Sequence, residues 1–192
     1  MLLVLGSRFF VLSTLYFVLC TLIIVEGEAQ TTLQLKAMES LKKIFGDSIS
    51  VTVNNVVVSS DEKKQIFEKS KTHWKSDTLK IFVCKSSATF IGYGFVDDVK
   101  GKVQFISYLV ALKPNGEVVD VDVLAYREAY GGEITYESFR KQFRGKGSGD
   151  KLLPGKDIKN ISGATLSVRA ITLGVKRILT TYELIKHRLE KP

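Results

Sequence analysis

Apolar and polar positions along this chain fall into two rhythms. Val168, Ile171, Val175, Ile178, Leu179, Tyr182, Ile185 and Leu189 recur at steps of three and four, the spacing that lays one apolar stripe along a helix. A long C-terminal helix is therefore predicted. Residues 79–84, 88–96, 103–112 and 117–125 are instead rich in β-branched and aromatic side chains and are separated by polar or glycine-bearing links, the pattern of strands. Between the last two lies Lys113-Pro114-Asn115-Gly116. Proline presets the first turn angle and Asn-Gly accepts positive φ, so these two strands are expected to form an antiparallel hairpin.

Upstream, residues 32–45 predict a helix with Ala37, Leu41, Ile44 and Phe45 on one side and Gly46 as its stop. Ile49, Val51 and Val53 alternate with polar residues, Asn54-Asn55 offers a turn, and Val56-Val57-Val58 resumes a β-branched run. Ser59 and Glu62 stand at capping-box spacing and open a second helix from 60 to about 71. Trp74 follows in a linker. Thr135 is expected to cap a short helix carrying Phe139 and Phe143, residues 145–149 to be flexible, and Pro154-Gly155 to turn the chain. The fold class is α+β, an antiparallel sheet flanked by helices.

The stretch with the most chemistry is Ile161-Ser162-Gly163-Ala164-Thr165-Leu166-Ser167, just ahead of the C-terminal helix. A helix start leaves backbone N–H groups unpartnered and carries partial positive charge, so small residues there let an anion come close. Gly163 and Ala164 are small, Ser162 is a candidate cap, and Thr165 sets a hydroxyl beside the anion position. The same four residues also read as a simple cap and turn. Asp120 and Asp122 alternate with valines and face one side of a strand, either as an acid–base pair or as a solvated face. Residues 125–133 leave a strand and enter the pair Gly131-Gly132, where backbone can approach a ligand closely.

Composition narrows the class. The length suits one domain plus a terminal segment. Phe9 to Val25 is a run of 17 uncharged, mostly apolar residues, followed by Glu26-Gly27-Glu28-Ala29-Gln30. This predicts that residues 1–29 are a signal peptide cleaved after Ala29, or an uncleaved membrane anchor, and that 30–192 is an exported domain. Cys20 lacks the small residue a lipid-attachment site needs before it. Cys84 is then the one cysteine left, with no intrachain disulfide available, and reads as a buried small hydrophobe. His73 and His187 have no ligand-like companions, so no metal site is expected. The net charge is +8, and removing Arg8, Glu26 and Glu28 leaves 27 basic against 18 acidic side chains. Export and the dispersed basic residues argue against nucleic acid as a partner.

Together these residues resemble the FMN-binding domain family, whose members include flavin-carrying components of the sodium-translocating NADH:quinone reductase and of the Rnf electron-transport complex. Asp157 through Ser167 is similar to the family's flavin-attachment motif, and Val168-Arg169-Ala170-Ile171-Thr172 to its continuation in small exported members. Glu128-Ala129-Tyr130-Gly131-Gly132-Glu133, Phe139, Gln142-Phe143 and Gly145-Lys146 fall in family order. The resemblance covers roughly 93–182.

It implies an exported, membrane-associated electron-transfer protein, periplasmic or membrane-anchored, that need not turn over a substrate alone. Its cofactor would be FMN, joined by a flavin transferase through the phosphate to Thr165, and its partner a membrane redox protein. Ser162, Gly163 and Ala164 would surround the phosphate, and Glu128, Gly131 and Gly132 would line the flavin ring, with the long helix starting at the phosphate. One position departs. The family motif has Asp six residues before the threonine, and Lys159 stands there. The alternative reading is a non-redox binding module that uses the same fold and anion pocket for another ligand or a protein partner.

Overall fold

The β-branched runs pair into one antiparallel sheet. β1 (Ile49–Val57), β2 (Thr78–Ser86), β3 (Thr89–Lys100), β4 (Phe105–Leu112) and β5 (Val118–Ala125) lie side by side in chain order. The computed structural model describes residues 31–74 and 76–189, so the expected leader at 1–29, with Cys20, lies outside the described residues. Contacts gather residues from Ala37 onward into one compact unit. Its helices are α1 (31–45, entering this unit at Ala37), α2 (Ser60–Ser70), the single turn α3 (Glu137–Arg140) and α4 (Thr165–Leu189). Among the described residues no helix is long and apolar enough to cross a membrane.

Both faces of the sheet are covered, which is why β4 reads as a nearly unbroken apolar run and not as an alternation. Ile81, Val83, Phe95, Tyr108, Val110 and Leu112 point toward the apolar stripe of α4, where Val168, Ile171, Val175, Ile178 and Ile185 are fully buried. On the opposite face Ala37 and Leu41 of α1 are buried, with Leu41 over Gly94 and Phe45 over Gly92. Cys84 is buried, and burial pushes its thiol up to about 12.

Several expectations hold in detail. The Lys113–Gly116 turn joins β4 to β5, closed by Gly116 N–H to the Lys113 carbonyl at 2.9 Å. The Ser59 hydroxyl accepts from Glu62 N–H at 3.2 Å while Glu62 Oε2 accepts from Ser59 N–H at 2.8 Å, a complete capping box. Three expectations fail. Asn54 and Asn55 make no turn, because β1 continues through them in register with Ile81 and Lys80 of β2; the ladder overrides local turn preference. Thr135 does not cap α3: it ends a 3-10 turn (Gly132–Thr135), its hydroxyl donates back to the Gly132 carbonyl at 2.7 Å, and Tyr136 holds the cap position. The glycine-rich segment after Phe143 is tied to the β5 edge, Val118 N–H donating to the Lys146 carbonyl and Gly145 N–H to the Val118 carbonyl, both at 2.8 Å.

A buried charge fixes α4 on the sheet. Arg177 and Asp97 are only 7% and 8% exposed at their side chains. The guanidinium donates twice to Asp97 Oδ2 on β3, to the Asp98 carbonyl at 3.1 Å and to the His73 carbonyl at 2.7 Å. Tyr108 donates to the same carboxylate oxygen at 2.8 Å, and burial holds its phenol well above the ordinary range. Trp74 stacks on the guanidinium at 4.8 Å and donates to Thr181 at 2.7 Å. Gly174 lets α4 come this close, since a Cβ there would stand 2.3 Å from the Tyr108 hydroxyl.

Removing Arg177 would leave the Asp97 carboxylate buried without its counter-charge. Arg177→Ala is therefore expected to destabilise the fold by about 3–5 kcal/mol in urea denaturation, whereas Arg177→Met combined with Asp97→Asn should recover most of that loss. Equal losses for the single and double variants would show that packing, not charge, sets the cost.

Candidate functional site

The start of α4 is shaped by a turn that only glycine fits well. Ala164 N–H donates to the Ile161 carbonyl at 3.0 Å, so Ser162 and Gly163 form the centre of a β-turn. Gly163 has φ of +81° while Ser162 is not among the residues with positive φ, the combination of a type II turn. α4 then begins at Thr165, with the Ala164 carbonyl accepting from Val168 N–H at 2.9 Å. This corrects Ser162 as the cap. The cap position is Ala164, whose methyl side chain cannot accept a hydrogen bond. The first-turn N–H groups of Thr165, Leu166 and Ser167 have no partner four residues back within the helix. Thr165 and Ser162 are exposed, and Ala164 is buried.

Two other segments meet this helix start. The chain leaving β5 bends at Tyr126, whose hydroxyl donates to the Tyr130 carbonyl and lies 3.2 Å from the Ser167 hydroxyl on α4. Gly131, at φ +88°, brings its backbone against Ala164, where a Cβ would stand 3.2 Å from the alanine methyl. The third segment is the β3–β4 turn. Glu128 Oε1 accepts from Val103 N–H at 2.7 Å and from Gln104 N–H at 3.0 Å. The Val103 amide is the main reason its carboxyl sits below the ordinary glutamate range, with the Gln104 and Lys102 amides and the Lys102 charge acting the same way.

A cleft of about 580 Å³ opens between the three segments, lined by Lys102, Val103, Glu128, Ala129, Tyr130 and residues 163–167. That volume lies in the range of roughly 300–1,000 Å³ usual for ligand pockets. Its apolar surface is out in solvent: Tyr130 is 86% exposed, Val103 65% and Leu166 54%. Of the residues singled out in the sequence, Gly163, Ala164, Thr165 and Glu128 line the cleft, and Gly131 adjoins it through Ala164. Ser162 and Gly132 are not among its lining residues; the nearest neighbour of a Cβ at Gly132 would be the Tyr126 ring, 3.9 Å away. Sequence reasoning missed Lys102, Val103 and Tyr126. Lys102 sits in a short link with no motif, Val103 reads as the first residue of a strand that in the structure starts only at Phe105, and the tyrosine is recognisable only by what its hydroxyl joins.

Lys159 lies just ahead of the turn, exposed, its N–H donating to Gln142 Oε1 at 2.8 Å. Asp157 is committed elsewhere, accepting from Leu153 N–H at 3.1 Å. Asp120 and Asp122 belong to a separate cleft of about 610 Å³ on the α1 side of the sheet. They are neither an acid–base pair nor a merely solvated face. Arg144 reaches Asp120 at 3.0 Å and Arg140 reaches Asp122 at 3.0 Å, and Ser40 donates to Asp122 at 2.7 Å. Among the described residues no cluster of His, Cys, Asp and Glu could hold a metal ion.

Residues 101–180 match the FMN-binding domain family. Over 94 residues the chain is 35% identical to a component of the proton-translocating ferredoxin:NAD(+) oxidoreductase complex of Clostridium ljungdahlii, covering 45% of this chain and 50% of that protein. The chain thus spans about half the length of that curated relative. The crystal structure of NqrC from Shewanella oneidensis shares the fold, with a TM-score of 0.56 and 16% identity over 85% of this chain and 97% of that one. The family resemblance drawn from the motif therefore holds, and FMN is the cofactor it supports.

The Glu128 anchor gives a pH dependence of definite sign. A carboxyl whose folded pKa is depressed contributes stability that is fully present above the ordinary glutamate value of about 4.3 and is lost as pH falls through the depressed value. Protection of the Val103 and Gln104 amides, measured by hydrogen exchange and corrected for intrinsic rates, should fall across that interval. In Glu128→Gln the step should vanish; a step that persists there would mean another group holds the turn.

Proposed function

We propose, from residues 101–180 being an FMN-binding domain, that the cleft at the start of α4 holds FMN and that the protein relays electrons through it. The observation that carries this is the exposed Thr165 hydroxyl at the first position of a 25-residue helix, inside a ligand-sized cleft. The phosphate lies against the first-turn N–H groups, where the helix end favours negative charge. Ser162 and Gly163 shape the approach to it. The apolar side chains of Val103, Tyr130 and Leu166 border the ring, the Gly131 backbone backs this wall through Ala164, and Glu128 holds the β3–β4 turn in place. Bound FMN supplies the redox chemistry; the protein contributes position and field.

Thr165 is the hydroxyl for a phosphate ester made by a flavin transferase, being exposed and nearest the anion position. Residues 1–29 direct export, so the domain works in the periplasm or anchored at the membrane beside a membrane redox partner. Intact-mass measurement on the exported protein checks this: a chain beginning at Gln30 means cleavage, and a full-length cytoplasmic chain overturns it. A second reading, a non-redox module, draws support from Lys159, which replaces the motif carboxylate and puts a cation beside the turn.

The purified protein is expected to be yellow. Gly163→Val should lose flavin, because a β-branched residue at φ +81° is strained even though the space there is open. Co-expression with a flavin transferase should give fluorescence that survives denaturing electrophoresis, and Thr165→Ala should abolish it. A dark wild type with a fluorescent Lys159→Asp would confine the departure to the attachment step. Colourless protein throughout would leave the non-redox module.

A further inference from the structure

The two edges of the sheet differ in how their backbone groups are used. At β5, Val118 exchanges hydrogen bonds with residues 145–146, and the Val121 carbonyl accepts from Arg140 at 3.2 Å. β1 is the other edge. Just past its end, Val58 N–H donates to the Asp77 carbonyl at 2.8 Å, in line with the Val57–Thr78 pairing of β1 with β2. In an antiparallel ladder, opposed residues that share such bonds alternate with residues that do not. Ser50, Thr52, Asn54 and Val56 therefore direct their backbone groups to β2, and Ile49, Val51, Val53, Asn55 and Val57 point theirs outward. The ends of this outward row are engaged: Ile49 N–H reaches the Gly46 carbonyl at 3.4 Å, and Arg188 donates to the Val57 carbonyl at 3.1 Å. Among the described residues, the N–H and C=O groups of Val51, Val53 and Asn55 have no protein partner.

The devices that blunt a sheet edge are missing from β1. It is 9 residues long, holds its register against β2 without a bulge, and contains neither proline nor a charged side chain. The uncharged stretch runs from Ser48 through Ser60.

We infer that β1 pairs antiparallel with β1 of a second copy of this chain about a two-fold axis through Val53, so that the sheet runs on from one subunit into the other. The outward row is its own complement. With Val53 opposite Val53 of the partner subunit, Val51 falls opposite the partner's Asn55 and Asn55 opposite the partner's Val51. Each of these pairs sets outward groups against outward groups and exchanges two hydrogen bonds. An axis through Val51 or Asn55 would instead draw in Ile49 or Val57, whose groups are already partly engaged. Charge favours the same place. Two copies of a chain with net charge +8 repel at long range, and along this uncharged stretch they meet with no like charges opposed. A seam of one strand is smaller than a standard interface, so the pair is weak and concentration-dependent, with Kd on the order of 100 μM. No residue of β1 lines the FMN cleft, and the pairing does not depend on the FMN reading.

The test is amide exchange read residue by residue by NMR on the full chain. For a Kd on the order of 100 μM, protection of the Val51, Val53 and Asn55 amides should rise about threefold between about 30 μM and about 1 mM. The Thr52 and Asn54 amides, already bonded to β2, serve as the internal reference and should not change. Association through any other part of the chain leaves the three outward amides exposed. Val53 is 41% exposed and so accepts a longer side chain. Val53→Lys and Val53→Glu, each alone, should lose the rise because like charges then meet at the axis, and an equimolar mixture of the two should regain it.

Protection that does not change with concentration would overturn the proposal, whether the edge is bare or covered within one chain. A rise that survives undiminished in Val53→Lys alone would also overturn it, since Val53 would not lie on the axis. So would amides that become protected only when a different polypeptide is added, which would give the edge to a foreign strand. The wild-type concentration series needs no variant and decides the matter even if a substituted chain misfolds.

Discussion

The contact between Arg177 and Asp97 decides where α4 lies, and the rest of the arrangement follows from that. One guanidinium gathers β3, the chain around His73 and Trp74, and the middle of α4 at a single point. A charge pair this deep adds little net stability compared with an apolar core, because desolvation offsets attraction. What it does add is register. An apolar stripe tolerates sliding and rotation by a fraction of a turn, whereas a guanidinium bound to a carboxylate and two carbonyls does not. A shift of α4 by one residue would carry Thr165 about 1.5 Å along the axis and roughly 100° around it.

The cleft at the head of α4 is built from three segments distant in sequence, each held by a bond of a different kind. A carboxylate collects backbone amides at the β3–β4 turn, a phenol links residues 126–130 to Ser167, and a glycine backbone rests on the Ala164 methyl. These groups are committed to fixing the walls. They leave the first-turn amides, one threonine hydroxyl and an exposed apolar surface for a ligand.

Much of this is legible in the sequence, and what is not has identifiable causes. The stripe from Val168 to Leu189, the Pro114-Asn115-Gly116 turn and the Ser59–Glu62 box are local signals whose physics survives folding. Asn54-Asn55 misleads because edge-strand pairing outweighs a turn preference, and Thr135 because its hydroxyl finds a nearer carbonyl. Ser162 reads as a cap, whereas the geometry needs it inside a turn; counting three residues from Ile161 to the Ala164 amide, with Gly163 at the left-handed position, places it. The roles of Lys102, Val103 and Tyr126 depend on contacts more than twenty residues away in the chain, which no local pattern encodes.

Cys84 shows a further side of the same architecture. Burial on the α1 side of the sheet pushes its thiol up to about 12, so at neutral pH it stays protonated. Reduced flavins pass electrons to dioxygen and release peroxide, and peroxide attacks thiolates far faster than thiols. A protein holding such a flavin would be its own nearest target. Among the described residues the one sulfhydryl sits in a β-strand core, where burial shields it and disfavours its thiolate, so the fold would offer such an oxidant no exposed thiol there.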